Sequence, residues 1–265
     1  MTPRPQEQSG AAQQTEAGAQ PAASGDRVVI SGMAGLYPQA RYVKDLENIL
    51  YNKLNPISAD NLRWQYSHPE VAQFSGSVPD LDRFDAQFFK VHYKLSNCMD
   101  SMSRKMLEQA YEAIYDSGTS PTNLSGKKVG VFIGTCLSES EKANFYTSVN
   151  ITGFGIAGCS KAMFANRISY WLNAKGPSVS IDEACSSSTA ALEAAYKAIS
   201  HGECEAAVVG GANLCLHPQS SVHYGRIMNI SMDGKTKSYA EDAAGCARSE
   251  AINVLFLQKA KDAKR

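Results

Sequence analysis

The chain has 265 residues, 26 basic and 26 acidic side chains balancing to a formal net charge of zero, and 43% hydrophobic residues. That length supports one large domain or two small ones with a full core. The balanced charge offers no basic face for nucleic acid, and no apolar run is long enough to span a membrane. Seven cysteines, an odd number, and no apolar leader argue for reduced thiols in a cytosolic protein rather than a disulfide framework.

Residues 1–25 contain no Val, Ile, Leu or aromatic residue. Such a segment cannot offset its ordering entropy by burial, so it reads as a disordered tail ahead of a domain spanning 26–265. RVVISGMAG, from Arg27, reads as a buried strand running into a glycine loop, and VKDLENILYNKL, from Val43, as a helix. Asn61 to Phe89 is irregular, rich in turn residues and aromatics. The stretch Asp100 to Gly118 reads as a helix, N-capped by Asp100 or Ser101. It places Met106, Ala110, Ala113 and Ile114 on one face and closes at Gly118.

KKVGVFIGT, from Lys127, is a short apolar run without polar alternation, as a strand covered on both faces requires. Ser160 to Asn173 reads as a helix, Pro177 to Ala184 as a strand, Ser187 to Gly202 as a helix and Cys204 to Asn213 as a second doubly buried strand. Ser249 to Arg265 begins as a strand and ends in a charged tail. Strands alternating with helices indicate an α/β layered domain with a mainly parallel sheet.

Gly153 to Gly158 matches GxGxxG, but no buried strand precedes it and Asn173 stands where an acidic residue is needed, so close packing explains the glycines better than a dinucleotide. His201, Cys204, Cys215 and His217 have spacings related to zinc pairs, yet Cys204 opens a central strand, where a buried free thiol is the commoner case. The Asn-x-Ser/Thr triplets at Asn123, Asn150 and Asn229 mean little without a secretory signal.

Cys185 differs in its location. The strand ending near Asp182 and the helix starting near Ser186 put its thiol at a first helical turn. Unpaired N–H groups there favour negative charge, lower a thiol pKa and can hold an oxyanion. Ala190, Ala191, Ala194, Ala195 and Ala198 give the helix behind it a small face suited to tight burial. On position alone, nucleophile and structural thiol both remain open.

The stretch DEACSSS, Asp182 to Ser188, resembles the active-site element D-T-A-C-S-S-S of the β-ketoacyl synthases. VVISGMAGLYP, LDRFDAQFFKVHYKLSNCMD, ANRISYWLNAKGPSVSID, GECEAAVVGGAN and MDGKTKSYAEDAAGCARSEA follow in that family's order, with wording nearest the ketosynthase of animal-type fatty acid synthases. The resemblance implies the N-terminal half of a thiolase-like fold, a mixed, mainly parallel five-stranded sheet with helices on both faces, within a five-layer domain that forms homodimers. It implies that Cys185 takes an acyl chain from the phosphopantetheine arm of an acyl carrier protein. A malonyl thioester then loses carbon dioxide, and its enolate attacks the bound acyl group. It implies neither a metal nor a directly bound cofactor.

The family's two catalytic histidines lie in E-A-H-G-T-G-T and N-I-G-H motifs, which this chain lacks; His68, His92, His201, His217 and His223 match neither. The chain is therefore expected to carry only the nucleophile half. Glu183 replaces the usual Thr and would oppose thiolate formation if turned inward, while Ser101-Met102 replace Pro-Gln at a helix start. Two readings stay open: the first half of a fatty-acid-synthase ketosynthase, or a short non-condensing paralogue that partners a full-length synthase or binds acyl groups. A cysteine hydrolase ranks below both, since no histidine is placed beside Cys185.

Overall fold

The computed structural model describes residues 27–59, 63–64, 69–146 and 153–264. The segment 1–25, His68 and the Asn150 triplet fall outside them, as do parts of the irregular stretch after Asn61. The strands are β1 Val28–Leu36, β2 Val129–Gly134, β3 Ser178–Ile181, β4 Ala206–Asn213 and β5 Ala251–Lys259. The α-helices are α1 Val43–Tyr51, α2 Tyr93–Cys98, α3 Ser101–Asp116, α4 Glu139–Tyr146, α5 Phe154–Cys159, α6 Ala162–Leu172, α7 Ser187–Ser200 and α8 Pro218–Ile227.

One mixed sheet has the order β1-β5-β4-β2-β3. β4, β2 and β3 pair in parallel, and β5 runs antiparallel between β4 and β1, so four of the five strands point one way. The period-two alternation of a strand divides its side chains between two faces. Val129, Val131 and Ile133 of β2, with Val208 of β4 and Val254 and Phe256 of β5, join a core under α3 and α6. Phe132, Ala207, Val209 and Leu257 point the other way, onto Ala191, Ala195 and Ile199 of α7. Each large side chain in either layer adds about 1.5–3 kcal/mol of burial free energy.

α3 forms as its pattern requires. Asp100 is the N-cap, its Oδ1 accepting the Met102 N–H at 2.7 Å, and Met106, Ala110, Ala113 and Ile114 are buried. Gly32 of β1 lets this helix approach closely, since a Cβ there would lie 2.1 Å from the Ala113 carbonyl oxygen. α7 uses the same device at its N-terminal end. A Cβ on Gly134 would fall 2.4 Å from the Ser187 carbonyl, and one on Gly211 would fall 2.7 Å from the Ser188 Cβ. Glycines at the C-terminal ends of β2 and β4 thus seat the start of α7 directly on the sheet edge. In open α/β sheets, ligands bind beyond this edge.

A buried ion pair fixes the same end of the domain from behind. The fully buried Glu250 carboxylate, just before β5, accepts the Arg63 fork at 3.2 and 2.7 Å, the Val78 N–H at 2.8 Å and the Cys215 N–H at 3.1 Å.

Candidate active site

Cys185 does not lie in the first turn of an α-helix. It sits in a single 3-10 turn, Ala184–Ser186, and α7 begins two residues later, at Ser187. The turn forms because the chain must reverse sharply off β3, and hydroxyls and a carboxylate consume the freed backbone groups. Ala184 takes φ +51°, a left-handed conformation that is strained for a residue with a Cβ. Asp182 Oδ1 accepts the Ala184 N–H at 3.2 Å, and Ser187 Oγ accepts the Glu183 N–H at 2.9 Å while donating to the Ala184 carbonyl at 2.6 Å. Ser186 Oγ donates to the Glu183 carbonyl at 2.7 Å. The three serines of the motif are thus split: two brace the elbow, and Ser188 rests on Gly211.

This bracing presents the exposed Cys185 thiol to a cleft of about 360 Å³. Backbone and small residues of β2, β4 and β5 form its floor; Tyr224, Met228 and Ile230 form one wall, and Cys136, Cys246 and Arg248 complete the rim. Arg248 lies 4.3 Å from the Tyr224 ring centroid and donates to Cys215 Sγ at 3.2 Å, which clamps that wall. Burial raises the Tyr224 phenol above its ordinary value, Arg248 opposing. Among the described residues that line the cleft, none is a histidine.

Glu183 is exposed and lies outside the cleft lining, so solvent screens its charge from the Cys185 thiol. The carboxylate that does address a thiol is Asp182. It holds Lys161 at 2.8 Å, a hydrogen bond that keeps its acid below the usual carboxylate range, and it adds to the burial that raises the Cys136 thiol. Glu183→Thr is therefore expected to change the rate of Cys185 alkylation by no more than about fivefold, the ~1 kcal/mol ceiling for exposed charge pairs. Labelling-rate curves against pH for both proteins check this, and a tenfold acceleration would return Glu183 to the site.

The other sequence candidates separate. His201 C-caps α7 and Cys204 lies buried just before β4, whereas Cys215 and His217 follow that strand's opposite end. Eight residues of β4 put about 26 Å between the two pairs. No group of three or more metal-ligating side chains forms among the described residues. Gly158 approaches α2, its Cβ position 2.3 Å from the Cys98 carbonyl, while Gly153 and Gly155 face open space, so close packing accounts for only one glycine of GxGxxG. Cys136, Cys246, Tyr224 and Arg248 were not singled out from the sequence. Cys136 is the second residue after β2, on the same sheet edge where Cys185 is the fourth after β3.

The structure therefore presents an exposed cysteine on a braced elbow at the C-terminal edge of a largely parallel sheet. The family described as "Beta-ketoacyl synthase, N-terminal domain" matches residues 25–263. The chain is 43% identical over 238 residues to a fatty acid synthase of Anser anser anser, covering 90% of this chain and 68% of that one. It is 32% identical to polyketide synthase PksN of Bacillus subtilis, of which it spans only 4%. Among solved structures, the ketosynthase from module 6 of the Bacillus subtilis bacillaene synthase superposes with a TM-score of 0.78 at 33% identity, over 89% of this chain and 40% of that one. The chain belongs to the β-ketoacyl synthase family and corresponds to its N-terminal domain.

Proposed function

We propose that residues 26–265 are the nucleophile half of a fatty-acid-synthase-type β-ketoacyl synthase, in which Cys185 accepts the acyl chain. The observation that carries this is the exposed Cys185 thiol, held on a strained and fully braced turn at the mouth of the 360 Å³ cleft in a member of that family. The sulfur, as thiolate, attacks the carbonyl carbon of an acyl thioester. The tetrahedral intermediate then expels the phosphopantetheine sulfur, which leaves with the proton that Cys185 gave up. An acyl carrier protein delivers the thioester, and the working unit is a homodimer through the ketosynthase fold. The malonyl-dependent condensation belongs to the assembled synthase, because no histidine lines the cleft among the described residues. Among the described residues no helix is long and apolar enough to cross a membrane, in keeping with a cytosolic site of action.

The test is acyl loading. Incubation of the chain with an acyl-pantetheine thioester should add one acyl group per chain, mapped to Cys185 by peptide mass spectrometry. Unmodified protein, or an adduct spread over the other cysteines, would count against the reading.

A further inference from the structure

Three free thiols, Cys136, Cys185 and Cys246, line the one cleft. Two of them are joined by more than a shared cavity. The Thr135 N–H bonds the Ile181 carbonyl at 3.0 Å, continuing the β2–β3 ladder, so the residues after β2 and β3 leave the sheet side by side. Cys136 is the second residue after β2 and Cys185 the fourth after β3, and both line the same cleft; a bond between them needs Cα atoms about 4.4–6.8 Å apart. Asp182, the carboxylate that accepts the Ala184 N–H and shapes the Cys185 elbow, also acts on Cys136, adding to the burial that raises its thiol. Tyr224 lines the same cleft, so one ring and the two sulfurs face one cavity. Cys246 comes from a different segment, bridged to Ile230, its N–H bonded to the Asn229 carbonyl at 3.0 Å.

We propose that Cys136 and Cys185 are a hydroperoxide-responsive dithiol, closing to an intramolecular disulfide that reversibly withdraws Cys185 from the cleft's chemistry. The disulfide rests on the shared cleft and the adjoining ends of β2 and β3; its effect on acyl transfer rests on the function proposed above. The exposed Cys185 is the attacking thiol. Its thiolate takes one peroxide oxygen, the O–O bond breaks, and a Cys185 sulfenic acid and one water form. Cys136 is the resolving thiol. Burial, with Asp182 adding to it, pushes this thiol above the ordinary range, which disfavours it as the first attacker. Its sulfur displaces the sulfenic oxygen, and that oxygen leaves as a second water with the Cys136 proton. Two thiols lose two electrons in total, and one hydrogen peroxide becomes two waters. A dithiol reductant reverses the bond. The thiols of Cys159, Cys204 and Cys215 are pushed up to about 11, burial being the main cause, and take no part.

The experiment treats the full 265-residue chain with one equivalent of hydrogen peroxide, then alkylates under denaturing conditions. Two of the seven thiols should become unavailable, with a Cys136–Cys185 linked peptide pair that dithiothreitol abolishes. Cys136→Ser should instead accumulate a sulfenic acid on Cys185, trapped by dimedone. Linkage of Cys185 to Cys246 or to a second chain would overturn the pairing, as would wild-type protein that keeps its Cys185 sulfenic acid unresolved. Acyl loading should fall with the disulfide fraction and return on reduction. Loading by fully linked protein overturns the regulatory consequence. A protein that forms the bond but never loads an acyl group refutes the proposed function and leaves the dithiol standing.

Discussion

Cys185→Ala is expected to lower acyl loading from a pantetheine thioester by roughly 10³-fold or more, the scale on which removing a covalent nucleophile acts. Cys185→Ser should do nearly the same, because an alcohol at the same place lacks an ionised form near neutral pH. Neither change should disturb the fold. The side chain is exposed, and the elbow is held by Asp182, Ser186 and Ser187 rather than by the thiol. Loading measured by intact mass, beside a thermal melt of each variant, separates chemistry from stability. An unchanged adduct yield in Cys185→Ala at an unchanged melting temperature would assign the acyl group to another residue.

The second large effect is on stability. Glu250→Ala removes the acceptor for two backbone N–H groups and the Arg63 fork in one step. Breaking a buried pair by deleting one partner costs about 3–5 kcal/mol, because the remaining donors stay desolvated and unpaired. Glu250→Gln should rescue only part of this, since one amide oxygen cannot serve four donors and the NH2 would face two of them. Replacing both members, as Arg63→Met with Glu250→Met, should destabilise less than the sum of the single changes. Urea midpoints of the single and double variants measure this. A loss under about 1 kcal/mol for Glu250→Ala would show that water reaches the carboxylate.

Much of the framework could be read before any coordinates, for identifiable reasons. α3 announces itself through a capping Asp100 and a sustained apolar stripe, and β2 and β4 through unbroken apolar runs. The four other helices resisted. α4 buries no side chain and has no amphipathic period. It is held from outside its own sequence: Ser138 Oγ accepts the Glu141 N–H at 2.9 Å, and Glu139 accepts the N–H groups of Leu216 and His217, each at 2.6 Å. α2 and α5 have only six residues each, too few for a period to show. α8 did carry a local sign, Pro218 at its first position behind a capping His217, where the ring costs no hydrogen bond.

For the site, Cys185 was legible because its chemistry depends on local order: strand, turn, small-faced helix. Its exact placement was not, because the 3-10 turn depends on hydroxyls bonding backwards across four residues. Glu183 illustrates the converse. Two residues from the thiol in sequence, it stays exposed and outside the cleft lining. Cys136 required knowing that β2 and β3 are neighbours at the sheet edge, a fact of topology that no single segment contains.

The antiparallel strand β5 carries a consequence for how this chain is made. Val28 of the first strand pairs with Lys259 of the last, and the last strand sits inside the sheet, between β1 and β4. On the ribosome, where N-terminal segments emerge first, β1 has no sheet partner among the described strands until more than 200 further residues have been synthesised, by the numbering of β1 and β5. Until then β1 and β4 both present open edges of the kind that recruit foreign strands. The sheet is therefore completed by β5, which pairs with β1 and β4 together.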